Sequence, residues 1–173
     1  DTLLTVKMRI GFEDDRFFDE LLNSINDNSV DLLSLHARTV IGGYRSEPSY
    51  KHVEKAVESV SCPVLLNGNV SSYKSAQNLK DLTGAHGVMI GRAAIRNPWI
   101  FRQIREFQSG QDVFLPKLSD VYHYIEDLYQ TLTRPEIGEI KCVARMKKFL
   151  NFVGVSIDSE GKFLFEMRRV KTK

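Results

Sequence analysis

The first hundred residues alternate short apolar segments with amphipathic segments of helical period, and this rhythm constrains the fold more than any other feature. Strand-like apolar segments lie at residues 4–10, 30–35, 63–66 and 87–90, and a stretch with helical spacing follows each of them. Strands that alternate with helices along a chain form parallel sheets covered by helices. Two architectures fit this order, namely an open doubly wound sheet and part of an eight-stranded barrel.

The helical segments carry recognisable faces and boundaries. A helix is predicted from Arg16 to Asn26, with its core face formed by Phe17, Leu21, Leu22 and Ile25. Another is predicted to begin at Ser71 or Ser72 and to end at Thr83-Gly84, because serine and glycine are typical of the two helix ends.

The composition changes after Gly110, where buried strand patterns stop. Two further helices are predicted, one capped by Ser119 and extending to Leu132, the other from Ile140 to Phe152. No element is assigned to residues 155–173. The sequence therefore predicts an α/β domain over residues 1–110 and a small helical domain over residues 111–173.

Several function classes are disfavoured by the overall sequence. No apolar run approaches the ~20 residues that a membrane helix needs, and the first residues lack the basic start of a signal peptide. The two cysteines, Cys62 and Cys142, lie far apart without metal-ligand spacing, so neither a metal site nor a disulfide framework is predicted. The chain begins with Asp1, almost inside a strand pattern, and we therefore expect it to be a fragment.

Polar or glycine residues follow all four strand-like segments, at the end where parallel α/β folds bind ligands. Taken singly, each has a plain structural explanation, such as a surface lysine, a core histidine or an Asn-Gly turn. Four successive strands that all end in such residues favour a ligand site. Its candidate residues are Lys7, Arg9, His36, Arg38, Asn67, Gly68, Asn69, Gly91 and Arg92.

The chemistry of this set favours a phosphorylated redox cofactor. Gly91-Arg92, directly before a helix, can hold a phosphate through backbone N–H groups and a guanidinium, with Asn69 nearby on the preceding strand exit. Lys7 and His36 can reach the polar edge of a flat heterocycle, where a lysine stabilises the anion formed on reduction. FMN fits this set best. No GxGxxG follows a strand, so a Rossmann NAD site is not predicted.

Four segments of the chain, in this order, resemble the tRNA-dihydrouridine synthase family: "TVKMR", "LLSLHART", "PVLLNGNVSS" and "GVMIGRAAIRNPWIF". The resemblance is close over residues 4–107 and looser in the tail, through "RMKKFLNF". It implies the C-terminal half of a TIM (β/α)8 barrel, strands 5–8, followed by a helical domain. It also implies an FMN enzyme that reduces uridine in tRNA to 5,6-dihydrouridine, with NADPH as the reductant.

The resemblance assigns roles to individual residues. Lys7 and His36 would contact the flavin ring, whereas Arg9 and Arg38 would contact RNA or flavin. The remaining FMN contacts would come from Asn67, Gly68 and Asn69, with Gly91 and Arg92 at the phosphate. Asn69 departs from the aspartate common in the family, and its oxygen could still bind a ribityl hydroxyl.

The resemblance starts at the family's fifth strand, so the first four strands and the family's catalytic cysteine are absent from this chain. Cys62 precedes a strand, at the end where barrels do not place chemistry, and it is not assigned that role. We therefore expect this chain alone to be inactive, and to pair with the missing N-terminal half or to self-associate through its open edges. The alternatives are a non-catalytic half-barrel that binds RNA and another FMN barrel such as a dihydroorotate dehydrogenase.

The tail is basic whereas the rest of the chain is mildly acidic. Residues 136–173 hold 9 lysines and arginines against 5 acidic residues, and the remainder holds 15 against 17. Lys141, Arg145 and Lys148 recur at helical spacing and are predicted to contact RNA phosphates. The core side of that helix is predicted to carry Ile140, Val143, Met146, Leu150 and Val153. A cytoplasmic location is expected; an organelle stays open because a targeting sequence could precede Asp1.

Overall fold

We analysed a computed structural model that describes residues 2–134, 136–158 and 160–172. The chain divides into two compact units, one extending to Ile90 and the other starting at Gly91. The domain boundary predicted at residue 110 stays a prediction. No helix in the described part of the chain is long and apolar enough to cross a membrane.

The first unit is a parallel sheet whose strands follow one another in chain order, β1-β2-β3-β4. This arrangement confirms the α/β prediction, because a helix separates each strand from the next. The strands are β1 (Thr5–Arg9), β2 (Leu32–His36), β3 (Val64–Asn67) and β4 (Gly87–Met89). The intervening helices are α1 (Phe18–Asp27), α2 (Tyr50–Ser59) and α3 (Tyr73–Thr83).

The strand register separates an apolar face of the sheet from a polar one. Because side chains alternate along a strand, residues paired across the ladder share a face. The apolar face contains Leu33, Leu35, Val64 and Leu66, which are all completely buried. The buried helix residues that complete this core are Phe18, Leu22, Ile25, Val53, Ala56 and Ala76.

The buried face of α1 agrees with the predicted face at Leu22 and Ile25 and differs elsewhere. Phe18 is buried in place of Phe17, which is 61% exposed, and Leu21 is 37% exposed. The prediction also began the helix too early, since α1 starts at Phe18. The buried stripe follows the helical spacing of 18, 22 and 25, and Phe17 and Leu21 lie outside it.

The ends of α3 confirm the sequence prediction. Ser72 Oγ accepts a hydrogen bond from the Ser75 backbone N–H at 3.1 Å, and Ser75 Oγ accepts one from the Ser72 backbone N–H at 2.9 Å. Gly84 closes the helix with a φ of +67°, a conformation that glycine adopts without strain.

The second unit is helical among its described residues. Its elements are α4 (Arg92–Arg96), α5 (Ile100–Gln108), α6 (Leu118–Leu132), α7 (Glu139–Val153), a 3₁₀ turn (Gly154–Ser156) and α8 (Lys162–Arg169). The predicted cap at Ser119 is wrong, because Ser119 lies inside α6. The residue that directly precedes α6 is Lys117, and its backbone N–H donates to Asp120 Oδ2 at 2.7 Å.

Helix α8 lies in the segment to which the sequence assigned no element. Asp158 holds its first turn, since its carboxylate accepts 2.9 Å hydrogen bonds from the backbone N–H groups of Lys162 and Phe163. These bonds, with that from Phe163 contributing most, lower the pKa of Asp158 below its usual value. The sequence feature that could have predicted the start of α8 is Asp158, which lies shortly before Gly161.

Candidate functional site

The carboxyl ends of the four strands form one continuous row across the sheet. Arg9 pairs with His36, His36 with Asn67, and Asn67 with Met89. Since paired residues in a parallel ladder project to the same side, these side chains share a face of the sheet. Three of the predicted site residues are therefore brought together by register alone.

Lys7 lies two residues before the end of β1, on the same face as Arg9. Its side chain is exposed, so the ammonium group is accessible to a ligand. Arg9 is half-buried, and its Nη1 donates to the Thr39 carbonyl at 2.7 Å. Arg9 thus connects β1 to the loop after β2, and Lys7 remains the accessible cation of this strand.

Two buried polar side chains lie at the end of β2 and in the loop after it, namely His36 at 4% and Arg38 at 3% exposure. Arg38 Nη1 lies 3.3 Å from His36 Nε2. Because a guanidinium can only donate, this contact requires an unprotonated Nε2 on the imidazole. His36 is therefore a neutral acceptor toward Arg38 in this arrangement.

Two further bonds hold the Arg38 guanidinium. Its Nε donates to the Ser46 carbonyl at 2.6 Å, and its Nη2 donates to Asn69 Oδ1 at 3.0 Å. Arg38 therefore links its own loop to the turn after β3. The structure places this predicted RNA contact in the interior of the unit, and its contact with RNA stays a prediction.

The contacts and backbone angles of Asn67, Gly68 and Asn69 explain why these residues follow the apolar part of β3. Asn67 Nδ2 donates to the Met89 carbonyl at 2.8 Å and so ties β3 to the end of β4. Gly68 has a φ of +136°, and a Cβ there would lie 3.5 Å from His36 Cδ2. Asn69 has a φ of +52°, which asparagine tolerates better than most residues. The chain therefore turns sharply around His36 while the side chain of Asn69 stays exposed.

Tyr50 is a member of this cluster that sequence reasoning missed. Its hydroxyl lies 3.5 Å from the Gly68 carbonyl, a long hydrogen bond. Burial raises the pKa of Tyr50, and the nearby Arg38 charge opposes that shift only in part. The phenol is therefore protonated at neutral pH and can donate. A tyrosine at the first position of a helix gave no distinctive sequence signal.

A second missed cluster connects the loop after β1 to the start of α2. His52 Nε2 lies 2.8 Å from Asp15 Oδ2, and His52 Nδ1 lies 2.8 Å from Ser49 Oγ. The order Asp-His-Ser matches a catalytic triad only formally, because Asp15 is 55% exposed whereas the acid of a triad is buried. The contacts join the two loops that border the strand ends.

Gly91 and Arg92 open the second unit, where Arg92 is the first residue of α4. Both residues are exposed. A Cβ built on Gly91 would meet no atom within 4 Å, so space does not require glycine at this position. Their predicted role at a phosphate stays a prediction.

Helix α7 separates basic and apolar side chains as the sequence predicted, with one exception. Lys141, Arg145 and Lys148 are exposed, and they define the basic face of α7. The buried side chains of the helix are Cys142, Val143, Met146 and Val153. Ile140, which was predicted to face the core, is 73% exposed. It lies in the first turn of α7, outside the buried face of the helix. Contact of the basic face with RNA stays a prediction.

Neither cysteine offers an accessible thiol. Cys62 is buried just before β3, at the opposite end of that strand from Asn67, as the sequence predicted. Cys142 is buried in α7, with its Sγ 3.4 Å from the Ile137 carbonyl. Among the described residues, no group of three or more histidine, cysteine or acidic side chains could hold a metal ion.

Comparison with known proteins identifies the family. Residues 1–158 match the profile of the dihydrouridine synthase (Dus) family. A tRNA-dihydrouridine(16) synthase of Neisseria meningitidis is 30% identical over 168 residues, covering 97% of this chain and 50% of the relative. A probable tRNA-dihydrouridine synthase of Helicobacter pylori is 38% identical over 104 residues, covering 60% and 31%. The chain thus spans about half the length of the Neisseria relative, and it belongs to the dihydrouridine synthase family.

Proposed function

We propose that this chain is the cofactor-binding part of an FMN-dependent tRNA-dihydrouridine synthase and corresponds to strands 5–8 of a TIM barrel. The observation that carries the proposal is the single row formed by Arg9, His36 and Asn67 at the carboxyl ends of adjacent parallel strands. In barrels and open α/β sheets this edge is where ligands bind. The family match supports the reaction class, and the match excludes the dihydroorotate dehydrogenase alternative.

The residues at this edge fit a flavin. Lys7 supplies an exposed cation on the polar face of the sheet, which suits a ring that becomes anionic on reduction. Gly68 adopts a φ of +136° next to His36, and this backbone conformation shapes the turn that carries Asn69. Asn69 supplies an exposed amide.

When bound, FMN would supply the hydride for reduction of the uracil ring, after its own reduction by NADPH. The chain's residues would bind and orient the cofactor. Lys7 would stabilise negative charge at the ring, and the amide groups of the β3 turn would fix its position. Uridine must leave the stacked RNA to reach such an edge, as substrates of other base-modifying enzymes do.

Neither Cys62 nor Cys142 offers an accessible thiol that could donate the proton required at the uracil carbon, because both are buried. We infer that catalysis requires more of the barrel, supplied by the missing half or by a second copy. Among the described residues, β1 and β4 each pair with a single neighbouring strand, which leaves an edge for such an addition.

The test is the visible absorption of the purified full chain after incubation with FMN and desalting. We expect a retained flavin band for the unaltered chain and for Gly84→Ala, and its loss for Gly68→Ala. Both glycines have positive φ, but only Gly68 lies at the carboxyl ends of the strands. No retained flavin in the unaltered chain, or equal loss in both variants, would contradict the proposal.

A second candidate function is favoured by the basic face of α7, whose three cations are exposed on a helix of the second unit. A non-catalytic module that binds RNA would need only this face. Binding of tRNA together with complete absence of flavin binding would support this alternative over the enzyme.

A further inference from the structure

Arg38 is a buried cation whose three nitrogen positions are all used within the first unit. Its Nε, Nη1 and Nη2 face Ser46, His36 and Asn69 respectively, at distances of 2.6 to 3.3 Å. Only 3% of the residue is exposed. An arginine that binds RNA phosphate must offer N–H groups at the surface, and Arg38 does not.

Through these contacts, Arg38 stabilises the turn after β3. The guanidinium is a planar fork, so it can hold the Ser46 carbonyl and Asn69 Oδ1 in fixed relative positions. Asn69 depends on such support because its φ of +52° lies in the left-handed region. The neighbouring Gly68 is held from the other side by Tyr50.

The contact between Arg38 and Asn69 also determines the orientation of the Asn69 amide group. Since a guanidinium has no acceptor, the atom facing Arg38 must be Oδ1. The exposed side chain of Asn69 therefore presents its Nδ2 donors away from Arg38. No other hydrogen bond to this side chain is recorded among the described residues.

We propose that Arg38 is a positioning residue, which sets the backbone conformation and the amide orientation of Asn69 for cofactor binding and does not touch RNA. The proposal rests on the proposed function, since it assigns Arg38 a task in the same site. It replaces the RNA contact that the sequence suggested for Arg38 with an indirect role in holding FMN.

The first experiment compares Arg38→Lys with Arg45→Lys in the full chain. Lysine keeps the charge but lacks the fork, so it cannot hold Ser46 and Asn69 together. Arg45 lies in the same loop and is exposed, which makes it a matched control. FMN affinity is measured by flavin fluorescence at a temperature where circular dichroism shows each variant folded. We expect Arg38→Lys to weaken FMN binding about tenfold or more, and Arg45→Lys to leave it unchanged.

A double-variant cycle separates positioning from a general structural defect. Asn69→Ala removes the amide that Arg38 is proposed to orient. We expect Arg38→Lys to cause little further loss of FMN affinity in the Asn69→Ala background, whereas a merely destabilised fold would lose affinity in both backgrounds. Affinity for tRNA is expected to be the same in all these variants.

Should Arg38→Lys fail to fold, the Arg38 side-chain Nε resonance of the unaltered chain provides the second measurement. We expect it to shift on saturation with FMN and to stay in place on addition of tRNA. A shift with tRNA alone would overturn the positioning role.

The other outcomes are equally decisive. Unchanged FMN affinity in Arg38→Lys, or an equal further loss when Arg38→Lys is added to Asn69→Ala, would overturn the inference while the unaltered chain still binds flavin. Absence of FMN binding by the unaltered chain would overturn the proposed function, and the inference with it.

Discussion

Two basic regions of this chain hold the same kinds of side chain in opposite environments. In the first unit, Arg38 is buried and bonded to neutral acceptors on two loops. In the second unit, Arg145 and its neighbours Lys141 and Lys148 lie exposed on one face of α7. A buried cation whose N–H groups are hydrogen-bonded holds the surrounding loops in place. Exposed cations in a row are available to bind a polyanion.

The largest expected effect comes from removing the buried guanidinium. Arg38→Met leaves the Ser46 carbonyl and Asn69 Oδ1 without their donor, and such losses cost about 2–4 kcal/mol of unfolding free energy. Arg145→Met removes the same group from an exposed helix position and should change stability by less than about 0.5 kcal/mol. Urea unfolding of both variants measures the difference, and similar effects would erase the distinction between the two regions.

A smaller effect distinguishes the two asparagines of the β3 turn. Asn67 donates to the Met89 carbonyl, so Asn67→Asp places a carboxylate against an acceptor and should cost about 1–3 kcal/mol. Asn69 accepts from Arg38, so Asn69→Asp creates a charge-assisted bond and should preserve or raise stability. The same urea experiment decides this prediction. Equal destabilisation by both substitutions would show that Arg38 does not hold Asn69.

Neutralising the basic face of α7 should leave stability almost unchanged and weaken RNA binding. For Lys141→Gln, Arg145→Gln and Lys148→Gln combined, we expect the slope of log affinity for tRNA against log salt to fall by about 2–3. The control removes three exposed lysines of α2 and α3, namely Lys51, Lys55 and Lys74. An equal loss in the control would mean that net charge, and not this face, determines the interaction.

The smallest effect concerns the helix that borders the basic face. Lys147 Nζ donates to the Arg168 carbonyl of α8, whose first turn is held by Asp158. The pKa of Asp158 is lower when folded, so its contribution exists above the unfolded pKa and is lost as pH falls through the folded one. We expect helical circular dichroism to decrease slightly below about pH 4, and less in Asp158→Asn. Identical acid profiles would contradict this cap.

The sequence predicted the alternation of strands and helices and the polar strand ends because both follow from local patterns. An apolar run ending in His36, or one ending in Asn67-Gly68, is visible in the chain itself. The start of α3 was visible as well, since Ser72 is a typical capping residue. The parallel register then brought Arg9, His36 and Asn67 into one row without further information.

The roles within the site were less accessible to sequence reasoning. Arg38 was expected to contact RNA or flavin because of the family resemblance, whereas its 3% exposure shows that its side chain is buried within the unit. Tyr50 was missed because its contact with Gly68 depends on the packing of two loops that are distant in sequence. The face of α1 was predicted only in part, because Phe17 and Phe18 are adjacent and equally apolar and their identity does not show which of the two is buried.

The most direct test of this account is a calorimetric titration of the unaltered full chain with FMN. We predict saturable binding, and binding that persists when tRNA occupies the basic face of α7. Absence of any binding heat beyond dilution, with the chain folded by circular dichroism, would contradict the claim that the row at the strand ends holds a flavin.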